Sequence, residues 1–180
     1  MLVRRKKTSD TLPAAKQVYS ALLSHIRHPV FYTTYQIPDT FDGRFDLLLL
    51  HLFLVIERTL KELPEEAFAF NQALFDVTFA DMDQTLREMG IGDMGVPKHM
   101  RRMMKAFNGR IQAYHTAQNT GTLPETLQKN LYGTCETIPP QVLHAMTLYV
   151  QDTGLQLSLQ DFQPLSQGII QLPLLDQNRK

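Results

Sequence analysis

FDGRFDLLLLHLFLVIERTLKELPEEAFAFNQALFDVTFADMDQTLREMGIGDMGVPKHMRRMM, residues 41–104, decides the fold. It reads as three long helices separated by two sharp breaks. In the first, Phe41, Phe45, Leu48, Leu49, Leu52, Ile56, Leu60 and Leu63 recur at helical spacing, while Leu47, Leu50, Phe53, Leu54 and Val55 fill much of the remaining circumference. A helix apolar nearly all round is a buried one. Pro38 followed by Asp39 or Thr40 marks its start, Asp42 suits the positive end of its dipole, and Pro64 marks its end. The run at residues 47–56 is interrupted by His51 and falls far short of the about 20 apolar residues a bilayer crossing takes. Arg44, His51 and Arg58, seven apart, share one stripe, expected to be the helix's solvated edge, with a polar recognition stripe as the alternative.

The second helix runs from about residue 65 to 89. Phe68, Phe75, Phe79, Met82, Leu86 and Met89 make its packing seam, and Asp76, Asp81, Asp83 and Glu88 its acidic side. Asp83 stands four before Arg87, a pair worth a few tenths of a kcal/mol. Gly90 is expected to cap this helix in the left-handed conformation, and Pro97 starts the next. That third helix, to about residue 117, places Val96, Met100, Met103, Met104, Phe107, Ile111 and Tyr114 on one side. Lys98, Arg101, Arg102, Lys105 and Arg110 lie largely on the other.

At 180 residues, 43% hydrophobic and 20% charged, the chain fits one soluble domain, and its zero net charge argues against a global pull on polyanions. Charge is segregated locally, in the basic head Arg4, Arg5, Lys6, Lys7 and in the third helix. Cys135 is the only cysteine, which excludes an intrachain disulfide and points to a reducing compartment. The N-terminus has the charges of a signal peptide without its apolar segment, so a cytoplasmic protein is expected.

Residues 1–12 are expected to be a flexible basic N-terminus and 13–180 a single helical domain. A helix begins at Pro13, with Val18, Leu22, Leu23 and Ile26 in register. VFYTTYQIPDT, residues 30–40, is expected to be an extended connector, since no second strand exists to pair with it. Thr122 and Glu125 are spaced as a capping box for a short helix ended by Gly133. Pro139 and Pro140 open another, with Val142, Ala145, Met146 and Tyr149 on one face. The fold expected is all-α, a single irregular bundle of about six helices with an extended C-terminal tail.

Catalytic signatures are scarce. The glycines at 90, 92 and 95 follow a helix, not a strand, and lack a Gly-Lys-Ser/Thr ending, so helix punctuation is preferred over phosphate binding. No Glu-x-x-His pair occurs, and the six histidines show no ligand spacing; His51 is the one expected near a polar recess in the core. No metal and no cofactor are expected. The basic helix could serve a nucleic-acid- or membrane-binding adaptor, or its cations could pair with the acidic helix.

FDGRFDLLLLH, FADMDQTLREMGIGD and the closing GR before AY, in a span from about Tyr35 to Tyr114, resemble the ubiquinol–cytochrome c chaperone family. The resemblance implies a non-enzymatic assembly chaperone for cytochrome b of the ubiquinol–cytochrome c reductase complex, cytoplasmic and peripherally associated with the inner membrane. Implied partners are cytochrome b or its nascent chain, the ribosome, the anionic inner-membrane surface and a small helical protein. Positions matching the family's motifs are Arg44, Asp46, His51, Asp81, Asp83, Arg87, Glu88, Asp93 and Lys98, each either scaffold or client-binding surface. Of these, Arg44, His51, Asp81, Asp83, Arg87, Asp93 and Lys98, with Arg101, Arg102 and Lys105 of the basic helix, are the partner-binding candidates. A Met- and Phe-lined groove would suit apolar client helices, though a packed core would use the same residues.

Overall fold

A computed structural model describes residues 8–62 and 64–175. Among them are eight helices and no strand: α1 (Thr8–Ile26), α2 (Val30–Thr33), α3 (Phe41–Thr59), α4 (Pro64–Glu88), α5 (Val96–Thr120), α6 (Leu123–Leu131), α7 (Pro140–Ser158) and α8 (Phe162–Ser166). The all-α class expected from the periodicity is the class observed. The basic head at residues 4–7 and Leu63 lie outside the described residues.

Local chemistry explains most boundaries. The Thr40 hydroxyl accepts from the Gly43 amide at 3.1 Å, making Thr40 the N-cap of α3. Asp39 instead accepts from Arg44 at 2.6 Å. Gly43 sits where the preceding chain folds back, and a Cβ there would overlap the Pro38 carbonyl oxygen. At the end of α4, Gly90 has φ +82°, its amide bonds to the Arg87 carbonyl at 2.9 Å, and the Ile91 amide bonds to the Leu86 carbonyl at 3.1 Å. This pair of bonds is a Schellman arrangement, closed by Gly90 in the left-handed conformation expected of it.

Several boundaries differ from expectation. Helix α1 starts at Thr8, so Pro13 lies inside it. The connector after Pro29 is not wholly extended: it winds into the single turn α2, which buries Val30 and Phe31. Helix α3 stops at Thr59, leaving Leu60 exposed. Thr122 makes no capping bond to α6 and meets the Thr120 hydroxyl at 2.8 Å instead. The tail carries one short helix, α8, before the irregular stretch at residues 169–175.

The chain divides into two compact units, with the boundary crossing α1 after Ser20 and α5 after Gly109. The first comprises the chain to Ser20, Thr59–Gly109 and Asp161–Ile170. Its core joins Ala15 and Val18 to Phe70, Ala73, Leu74, Phe79, Met82 and Leu86, with Val96, Met103 and Phe107 from α5. Phe79 and Phe107 meet edge to face, ring centroids 5.7 Å apart. The seam of α4 is as expected at Phe79, Met82 and Leu86, but in its first half Phe70 and Leu74 are buried while Phe68 is 70% exposed, and Met89 at its end is exposed as well.

The second unit comprises Ala21–Arg58, Arg110–Gln160 and the chain from Gln171. Here α3 is buried on every side: residues 47–50 and 52–55 are all within 2% of full burial. Leu22, Phe31, Tyr114, Leu127 and Met146 are buried in the same unit, Phe31 against His51 and Tyr114 against Phe53, and α6 packs on α7.

Candidate functional site

His51 and Arg58 do not form a solvated edge. His51 is 1% exposed and Arg58 is buried, its Nε donating to the Gln160 carbonyl at 2.8 Å; only Arg44 of the stripe faces solvent. A buried polar group must find partners, and His51 finds two. Its Nδ1 lies 2.8 Å from the Leu47 carbonyl, which can only accept, so Nδ1 carries the proton. Nε2 is then the acceptor, and the Tyr149 hydroxyl donates to it at 2.7 Å. The Tyr149 oxygen in turn accepts from His25 Nε2 at 2.9 Å. A directed chain, His25 to Tyr149 to His51 to Leu47, therefore runs through the core of the second unit. Burial, reinforced by neighbouring His28, pulls His25 down to about 4, and burial, reinforced by His25, pulls His51 down to about 3, so both rings are neutral at pH 7.

The same unit holds a second polar contact. Arg110, expected on the outer face of α5, turns inward and donates to Asp46 at 2.8 Å. Burial pushes Asp46 up to about 6, against the pull of Arg110. The Tyr114 hydroxyl and Arg110 Nε are buried without a hydrogen-bonding protein group. These groups order the core.

In the first unit the charged candidates fall into two sets. Arg87 takes Asp83 at 2.7 Å, as the spacing of four predicts, and also Asp93 at 2.6 Å across the turn after α4. Asp81 accepts from the Tyr19 hydroxyl at 2.7 Å. The other set, Lys98, Arg101, Arg102 and Lys105, is exposed on the first turns of α5. Among the described residues Lys98, Arg101 and Lys105 take part in no ion pair, so the acidic helix does not neutralise them. The methionines do not line one groove. Met82, Met103 and Met146 are core, whereas Met89, Met94 and Met104 are exposed.

A feature the sequence reading passed over lies on α7. Leu148, Leu155 and Leu159 are all exposed, and their spacing of seven and four puts them on one arc, which His144 and Asp152 share. That spacing was the available signal; it was masked by the buried face carrying Val142, Met146 and Tyr149.

The family model described as ubiquinol-cytochrome C chaperone matches residues 33–172, and the chain belongs to that family. A solved structure described as the crystal structure of the Cbp3 homolog from Brucella abortus is 32% identical, with a TM-score of 0.78 over 95% of this chain and 93% of that one. No curated protein matches the chain. No helix among the described residues is long and apolar enough to cross a membrane.

Proposed function

We propose that this protein is a non-enzymatic assembly chaperone for cytochrome b of the ubiquinol–cytochrome c reductase complex. It holds apolar segments of its client while the complex is built, on the cytoplasmic side, peripherally associated with the inner membrane. Membership of the chaperone family supports the class. The observation that carries the client reading is the leucine arc of α7, where Leu155 is 60% and Leu159 78% exposed. Exposed leucines at helical spacing suit a helix from a membrane protein, whose own apolar face needs cover before insertion. Ribosome contact and a small helical partner rest on the family resemblance alone.

The test is deletion of the gene followed by reduced-minus-oxidised haem spectra of the membranes. Loss of the cytochrome b band is expected, and restoration by the wild-type gene. A Leu155→Glu/Leu159→Glu variant with an unchanged melting curve should fail to restore it. An unchanged b band in the deletion would refute the chaperone reading. Full rescue by the double variant would remove the client site from α7.

A further inference from the structure

Helix α5 is 25 residues long and contains no aspartate or glutamate. Its cations crowd the N-terminal half, where Lys98, Arg101, Arg102 and Lys105 span an arc of roughly 100°. Positive charge in the first turns opposes the helix dipole, so the arrangement works against folding rather than for it. Among the described residues the acids nearest in sequence form no ion pair with Lys98, Arg101 or Lys105: Arg87 holds Asp83 and Asp93, and Glu88 accepts from Gln84. What precedes the cationic arc is equally unusual for a solvated surface: Met94 is 97% exposed and Met89 55%, with Met104 partly exposed on the helix itself.

Cations beside flexible apolar side chains match one kind of surface, a bilayer whose headgroups are anionic and whose acyl region begins a few ångströms below them. From this charge complementarity we infer that the exposed face of the first α5 turns, together with Met89 and Met94, docks on an anionic phospholipid bilayer. Lys98, Arg101 and Lys105 meet lipid phosphates and the methionines enter between headgroups. RNA is the competing polyanion, but single-stranded RNA sites add exposed aromatic platforms for base stacking, whereas the one Phe, Tyr or Trp in residues 87–109, Phe107, is buried and the only other aromatic ring, His99, is half-buried. The inference rests on the peripheral-membrane part of the proposed function and names the surface responsible for it.

The purified full chain is sedimented with vesicles of phosphatidylcholine, with and without phosphatidylglycerol. Binding is expected only with phosphatidylglycerol and should weaken as salt rises. Each basic residue near such a surface is worth roughly five-fold in partition, so Lys98→Gln/Arg101→Gln/Lys105→Gln should lose on the order of 100-fold. Met94→Ser should weaken binding further while leaving its salt dependence unchanged. All four side chains are exposed or partly so, and melting curves verify that the variants fold. Equal binding to both vesicle types, no binding, or binding unaffected by the triple variant overturns the inference. So does retention of a single-stranded RNA at the same salt by a protein that ignores the vesicles. The haem spectrum of a strain carrying the triple variant separates the two readings: a normal b band with vesicle binding lost leaves the chaperone role standing without the docking face.

Discussion

At Leu52 the physics is simple. The side chain is 1% exposed in the middle of α3, with Leu48, Leu49, Phe53 and Val55 buried around it. Leu52→Ala removes buried methyl groups and leaves a cavity that close-packed neighbours cannot fill, so it should cost about 2–5 kcal/mol. A chemical-denaturation midpoint equal to that of the parent would contradict the placement of α3. His51, one residue earlier, shows the complementary rule. It is tolerated among leucines because both its nitrogens are bonded, to Leu47 and to Tyr149.

At the scale of elements, the turn between α4 and α5 needs glycine at 90 for its backbone and merely tolerates it at 92, where a side chain would meet nothing. Gly90 has φ +82° and open space around its Cα, so Gly90→Ala meets no clash but must hold a left-handed backbone, costing about 1 kcal/mol. Gly109 lies inside α5 with nothing near its Cα, and Gly109→Ala should stabilise by about 0.5–1 kcal/mol through helix propensity alone. Thermal melts of the two variants should therefore shift in opposite directions. A common direction would mean that the backbone at one of the two positions has been misread. The helices themselves were legible in the sequence, because an apolar residue every third or fourth position needs no partner to be recognised. The orientation of α4 was not, since Phe68 and Phe70 are both aromatic and only packing chooses Phe70 for the core.

For the whole molecule, the buried ionisable groups predict how stability follows pH. His25 and His51 titrate at about 4 and about 3 when folded and near 6.5 when unfolded. Between pH 6.5 and those folded values the unfolded chain holds more protons, so stability falls as pH falls. Asp46, raised to about 6 from 3.8, takes its proton earlier in the fold than out of it and works in the opposite sense. Two groups against one leave a net loss on acidification below pH 6.5. His51→Gln should flatten that slope by on the order of 1 kcal/mol per pH unit, read from denaturation midpoints across the range. A wild-type profile that is flat or rises towards acid would contradict the neutral His–Tyr–His chain.

The sequence by itself determined the helical class, the break at Gly90, the Asp83–Arg87 pair and, through FDGRFDLLLLH and FADMDQTLREMGIGD, the family. These are local properties, written in the spacing of residues within one helix or one turn. Only the tertiary structure decided that His51 is core and not edge, that Arg110 turns in to Asp46, and that Lys98, Arg101 and Lys105 pair with no acid among the described residues. The reason is distance along the chain. His51 and Tyr149 are 98 residues apart, and periodicity within an element says which residues share a face but not what another element brings to it.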